Sequence, residues 1–305
     1  MPAIVVRTEI AERRRLDPDG SDSDTSYQMI PVGSNRPFTV VTDDNDWLLF
    51  PSDPNVIELE GFSTSISREQ FAFVIPKRSR VNFIVKGKSV GGVLLSIRLK
   101  NDPAFTFGQG VEISVKAKKI INYSAFLLRD ARFGTNRTSE RLETIMDEVN
   151  KEFLNQTNTQ LVRIGEIQKI TLVGDFGERV DIDQGVLTEV RRRTPMEAFN
   201  GKAFRLYSVW HFIDRRVSDI SGVTTGNDAF VNDVSPQGVL SFFEFTSFAH
   251  EIAHALGCGH SSTEGERART KIMHPISGPG RLFTQLDIDQ INQTGVLHRP
   301  STLNP

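Results

Sequence analysis

The sequence predicts an α+β protein built as a small all-β sandwich domain over residues 36–118 followed by a larger α+β domain over residues 119–305. Three observations lead there. Between Pro37 and Lys118 apolar residues alternate in short runs separated by turn residues, the pattern of strands with one buried face. After Lys116-Ala-Lys-Lys119 the pattern changes, and Leu142, Ile145, Met146, Val149 and Phe153 recur at helical spacing. Further on, two histidines four residues apart flank an apolar helical stretch with a glutamate between them.

At 305 residues the chain is long enough for two domains with separate cores. Its 38% apolar and 24% charged residues suit a globular protein, and a net charge of -2 gives no general attraction to nucleic acid or anionic membrane. Nucleic acid is therefore excluded as an expected partner, and no apolar run reaches the length of a membrane span. The opening Met1-Pro-Ala-Ile-Val-Val-Arg7 lacks the apolar core of a signal peptide. The expectations are then a cytoplasmic protein, one exported or delivered by a non-standard route, or one whose leader has been removed. Cys258 is the only cysteine, which rules out an intrachain disulfide and leaves packing and metal to stabilise the fold.

In chain order, residues 1–35 have mixed charge and no apolar period, and read as a flexible leader; a tether, a propeptide or a partner-binding arm would carry the same signature. Strands follow with Phe71, Phe73 and Ile75, with Val81, Phe83 and Val85, with Val93 to Leu99, and with Val111, Ile113 and Val115. This spacing is similar to that of bacterial immunoglobulin-like modules. No catalytic constellation falls within it. Substrate or surface binding, shielding of a cleft, spacing and engagement of a protein partner all remain open as its role.

In the second domain Ile120 to Asp130 predicts a strand. Thr138 or Ser139 then caps a helix with Glu140 in its first turn. Gln160 to Val173 predicts a further strand region, and Asp181 to Arg193 a short helix whose Arg191-Arg-Arg193 run is read as a solvated face. Ala203 to Ile213 predicts a strand with Phe204, Leu206, Trp210 and Phe212 on one face and His211, a structural histidine, on the other. Ser241 and Glu244 form a capping box ahead of a helix rich in apolar residues, and Thr284 with Asp287 forms another ahead of a C-terminal helix.

The stretch that organises the chain is His250-Glu251-Ile252-Ala253-His254-Ala255-Leu256-Gly257-Cys258-Gly259-His260. Positions i and i+4 share a helix face, so His250 and His254 can aim two imidazoles at one metal ion with Glu251 beside it. Gly257 can end the helix in a left-handed conformation and return His260 as a third ligand, leaving a fourth zinc position open. Two histidines hydrogen-bonded within a helix are the bland alternative for the shorter pattern. Cys258 is read as a small buried side chain in preference to a fourth ligand.

The long motif, HExxHxxGxxH, together with Ile272-Met273-His274-Pro275, resembles the metzincin clan of zinc metallopeptidases. The resemblance is specific from His250 to Pro275 and architectural elsewhere. It implies a catalytic domain with a twisted mixed sheet, a zinc helix and a C-terminal helix. It also implies one catalytic Zn2+ on His250, His254 and His260, Glu251 as general base, and Met273 packed beneath the histidines as the Met-turn. The stretch from Gly226 to Asp233 resembles the clan's antiparallel edge strand, which makes Ala229, Phe230 and Val231 candidate substrate contacts; an ordinary surface loop is the alternative. His274 stands where some clan members carry a tyrosine, and is a candidate substrate or oxyanion contact or a surface histidine.

The expected function is zinc-dependent endopeptidase action on a peptide or protein, with water attacking the scissile bond and Glu251 moving its proton. Two rivals stand beside it. One is a non-catalytic zinc-containing binding or assembly module; the other is a delivered bacterial effector or toxin peptidase of narrow substrate range.

Overall fold

The computed structural model describes residues 3–6, 26–62, 72–106, 110–181, 184–199, 203–213, 221–233, 244–260, 271–273 and 283–293. The chain divides into two compact units, Met1–Lys118 and Lys119–Pro305.

The described elements of the first unit are ten strands: β1 (Ala3–Val6), β2 (Ser26–Pro31), β3 (Asn35–Val41), β4 (Trp47–Pro51), β5 (Ile57–Glu60), β6 (Phe73–Ile75), β7 (Arg80–Gly87), β8 (Gly91–Leu99), β9 (Asp102–Thr106) and β10 (Val111–Lys116). They form a sheet ordered β1-β3-β7-β5 and a second ordered β2-β10-β8-β4-β6, with β9 joined to β8. Alternation explains the core. Phe83 and Val85 of β7 turn inward with Phe38 and Val40 of β3, and meet Trp47, Leu49, Val93, Leu95, Ile97, Ile113 and Val115 of the other sheet. The Trp47 indole N–H donates to Asp43 Oδ1 at 2.9 Å, which satisfies the one polar atom of this buried ring.

The expected flexible leader needs correction. Ala3–Val6 pairs antiparallel with β3 and Ser26–Pro31 pairs parallel with β10, so both belong to the sheets. Tyr27, Met29 and Ile30 are buried, and their apolar surface is what holds β2 in place. Residues 7–25 of that leader lie outside the described residues, as does Phe71.

The second unit is mixed α and β, with a central sheet ordered β12-β11-β15-β18-β17. Its described strands and α-helices are β11 (Lys119–Arg129), α1 (Ser139–Thr157), β12 (Thr159–Arg163), β13 (Gln168–Thr171), β14 (Val180–Asp181), α2 (Gln184–Arg193), β15 (Ala203–Val209), β16 (Phe212–Ile213), β17 (Gly222–Thr225), β18 (Asp228–Asn232), α3 (Glu244–Ala255) and α4 (Gln285–Gln293). β11 pairs in parallel with β12, β13 and β15, and β15 in parallel with β18; among the described strands of this sheet only β17 runs antiparallel, at the edge beside β18. Gly226 at φ +61 opens the two-residue turn between β17 and β18, a conformation that glycine adopts without strain.

Helix α1 is the crossover that parallel pairing of β11 and β12 requires. Thr138 caps it by accepting from the Arg141 N–H at 3.2 Å, and Leu142, Ile145, Met146, Val149 and Phe153 form its buried stripe. Asn158 ends it at φ 54. On α4, Thr284 Oγ1 accepts from the Asp287 N–H at 3.2 Å while Asp287 Oδ2 accepts from the Thr284 N–H at 2.9 Å, a reciprocal cap.

One face of the sheet carries a row of rings in register, with Phe126 stacked on Tyr207 at 5.2 Å and Tyr207 on Phe230 at 4.7 Å, in one core with Val186, Leu187 and Val190 of α2. Helix α3 packs against α1 and against β17 and β18. The predicted strand Ala203 to Ile213 is broken: β15 stops at Val209, and β16 pairs with β14 in a separate two-stranded sheet. Between them Trp210 is buried, and its indole N–H donates to the Gly177 carbonyl at 3.1 Å.

Candidate metal centre

Helix α3 buries Phe245, Phe248, Ala249, Ile252 and Ala253, which fixes its rotation and leaves His250 and His254 half-buried on one face. Its start is held by charge. Arg137, buried, donates from Nε to Glu244 Oε1 at 2.7 Å, from one terminal nitrogen to Asp233 Oδ1 at 2.7 Å, and from the other to the Asn232 carbonyl at 2.7 Å. Arg141 adds a 2.6 Å bond to Glu244 Oε2. Glu244 belongs to this network, and Ser241, its partner in the expected capping box, lies outside the described residues. Burial pushes the Asp233 carboxyl above its ordinary pKa, with Arg137 pulling it back.

The helix ends as its glycine requires. Gly257 stands at φ +94; its N–H donates to the His254 carbonyl at 2.9 Å and the Cys258 N–H to the Ala253 carbonyl at 3.0 Å, a Schellman pair. That reversal returns the chain three residues later at His260, which is exposed.

The three imidazoles meet. His254 Nε2 lies 3.0 Å from His250 Nε2 and 3.1 Å from His260 Nε2. Because a carbonyl oxygen can only accept, two backbone contacts decide where the protons sit: His250 Nδ1–H donates to the Ile272 carbonyl and His254 Nδ1–H to the Cys258 carbonyl, each at 2.8 Å. In their neutral forms, the forms that ligate a metal, the two rings therefore turn their Nε2 lone pairs toward each other, a repulsive arrangement that a cation between them relieves. Tetrahedral Zn2+ with nitrogen ligands at about 2.0–2.1 Å needs N···N separations of about 3.3 Å, a few tenths of an ångström from those present. The donor set fits such an ion, and these three histidines form a group able to hold a metal. Burial holds the His254 imidazole below its usual pKa, which keeps it in the form that ligates.

Glu251 faces another way, onto the edge strand. It is 4% exposed, and Thr224 Oγ1 lies 2.7 Å from its Oε2 and 2.9 Å from its carbonyl oxygen. Burial pushes the carboxyl up to about 8, with the Thr224 hydroxyl pulling it down. A Cβ on Gly222 would fall 2.5 Å from Glu251 Oε1, so the carboxylate lies directly on the strand backbone.

Met273 is fully buried, one residue beyond the Ile272 carbonyl that orients His250. The Cys258 thiol is buried with Sγ 3.8 Å from the Asp287 carbonyl, and burial raises its pKa, so it packs under α4 as expected of a small core residue. His274 lies outside the described residues.

Ala229, Phe230 and Val231 are corrected. They sit on β18, whose two edges are taken by β15 and β17, and all three are fully buried, Phe230 within the aromatic row. The antiparallel edge is Gly222–Thr225. Thr224, Gly222 and Arg137 were missed as contributors to the site. A glycine opening a short β-branched run was the one local signal for the first two, since glycine in a strand marks close approach. The Arg191 run also differs from a purely solvated face, because Arg191 Nε donates at 2.8 Å to Asp228, which is fully buried and also bound by Arg205.

No protein-family profile and no curated protein matches the chain. Among solved structures, metalloproteinase-II from Bacteroides fragilis aligns over 87% of this chain and 84% of its own, with 10% identity and a TM-score of 0.39. Domains 4 and 5 of the S-layer protein SbsC align over 31% of this chain and 42% of theirs, with 14% identity and a TM-score of 0.20. SbsC domains 5–6 align over 37% and 55%, also at 14% identity, with a TM-score of 0.21. The chain thus spans less than two thirds of either S-layer chain. All three scores are below 0.5, too low to bear on fold or function.

Proposed function

We propose that this chain is a zinc-dependent endopeptidase of the metzincin type, with His250, His254 and His260 as ligands and Glu251 as general base. The observation that carries the proposal is the pair of carbonyl-fixed tautomers that turn two Nε2 lone pairs toward one point, joined there by the third histidine. When bound, zinc supplies Lewis acidity for the scissile carbonyl and lowers the pKa of a water toward neutrality. Glu251, as the carboxylate that a nearby cation favours, would accept the proton of that water and deliver it to the departing amine. Met273 supports the ligands by packing.

An extended peptide would add to the edge of β17 that no described strand covers, its main chain pairing with the strand and its side chains alternating between pockets. For the first unit we propose an immunoglobulin-like sandwich that engages a protein partner or substrate. A structural metal has no use for a buried carboxyl one residue along from a ligand, which favours catalysis over the assembly-module reading.

The test is zinc content and cleavage of a broad peptide library by wild type and Glu251→Ala prepared side by side. The expected result is about one zinc per chain in both proteins and cleavage by the wild type alone. Zinc in both with cleavage by neither sinks the peptidase proposal, and equal cleavage by both sinks the role of Glu251.

A further inference from the structure

We infer that Thr224 is a positioning residue for Glu251, and that β17 joins the backbone receiving the peptide to the side chain moving the proton. The inference rests on the hydrolytic proposal above and adds to it a residue outside the metal motif. Residues two apart on a strand share a face. Gly222 and Thr224 face α3, whereas Val223 packs against the aromatic core on the opposite face.

On the α3 side the two residues seat both carboxylate oxygens. Oε1 lies over Gly222, where even a methyl group would collide, and Oε2 lies 2.7 Å from the Thr224 hydroxyl. That hydroxyl has one proton and two acceptors in reach, the second being the Glu251 carbonyl at 2.9 Å. While Glu251 is a carboxylate, the hydroxyl donates to Oε2, the stronger acceptor. A proton taken by the other oxygen leaves that bond in place, since Oε2 of the neutral acid still accepts, so the carboxyl stays seated in both states of the proposed cycle.

The main chain of the same residues serves the other partner. The Asn232 N–H donates to the Ser221 carbonyl, and the register pairs Gly222 with Val231 and Thr224 with Ala229. In an antiparallel ladder the bonded pairs alternate, so the N–H and C=O of Gly222 and Thr224 point away from β18. No strand pairs with that side among the described residues. Thr224 therefore presents its backbone toward an incoming peptide and its hydroxyl toward Glu251. A side-chain substitution separates the two.

The experiment is steady-state cleavage of a library-derived peptide by wild type, Thr224→Val, Thr224→Ser, Gly222→Ala and Glu251→Ala, each with measured zinc content. The expected result for Thr224→Val is a kcat lowered about 10- to 100-fold with KM nearly unchanged and zinc retained, and recovery of most of kcat in Thr224→Ser. Gly222→Ala, which keeps the hydroxyl and displaces the carboxylate, lowers kcat in the same way and carries the test if Thr224→Val does not fold. Wild-type kcat in Thr224→Val or Gly222→Ala beside an inactive Glu251→Ala overturns this inference alone, as does a rise in KM with kcat unchanged. Absence of cleavage by the wild type overturns the inference together with the hydrolytic proposal.

Discussion

Glu251→Gln in the metal-free protein should change how stability depends on pH, by an amount the site itself sets. Burial raises the Glu251 carboxyl from 4.5 to about 8. Below pH about 4.5 the folded and unfolded chains both hold the proton, and the full contribution of the neutral side chain is present. Between the two values the folded chain keeps a proton that the unfolded chain has released, so stability falls as pH rises. Above about 8 both are ionised and the loss is complete. At about 1.4 kcal/mol per tenfold change in proton affinity, the interval corresponds to a loss of at most about 5 kcal/mol. Water entry and relaxation of β17 lower that ceiling. Glutamine has the same shape, stays neutral and still accepts from Thr224. Urea unfolding of both proteins in chelator, from pH 5 to 9, gives the difference curve, in which the titration of the histidines cancels. Glu251→Gln should gain on the wild type steadily with pH, by a few kcal/mol at pH 9. A flat difference would refute the account of a carboxyl buried with no compensating charge among the described residues. Zinc should shrink the difference, since a nearby cation favours the carboxylate.

Two further substitutions test the frame around the site. Arg137→Leu strands Asp233 and weakens the hold on Glu244, both nearly fully buried, and should cost about 3–5 kcal/mol in chemical unfolding. Arg141→Leu, at a side chain 56% exposed, should cost less than about 1 kcal/mol, and equal costs would show that burial is not what matters. Gly257→Ala forces a side chain into φ +94 and against Gln290 Nε2 at 2.8 Å, so a loss of about 1–2 kcal/mol and weaker zinc binding by calorimetry are expected. Unchanged zinc affinity there would separate the helix end from the placement of His260.

Local pattern was enough where the chain answers to local physics. The apolar stripe of α1 could be read directly and its cap narrowed to Thr138 or Ser139, because helical spacing and an N-cap hydroxyl act over a few residues. The meeting of His250, His254 and His260 could be read because one helix and one glycine turn supply all three. Strand neighbours could not. Asp228–Asn232 suggests a cleft strand only by its resemblance in position, yet whether it lies at an edge depends on Gly222–Thr225 pairing beside it, and four residues give almost no period. Ala3–Val6 and Ser26–Pro31 were assigned to a leader because their partners β3 and β10 contribute the order they lack alone. Arg137 looked like any loop arginine, since its partners Asp233 and Glu244 are 96 and 107 residues away in sequence.

The two tryptophans fall one to each compact unit, Trp47 in the first and Trp210 in the second, both buried and each hydrogen-bonded through its indole nitrogen. Excited at the indole band, each unit carries its own lamp, shielded from water while folded and red-shifted once opened. Replacing either ring by phenylalanine leaves emission from one unit alone, so the order in which the two melt becomes visible without a label or a substrate.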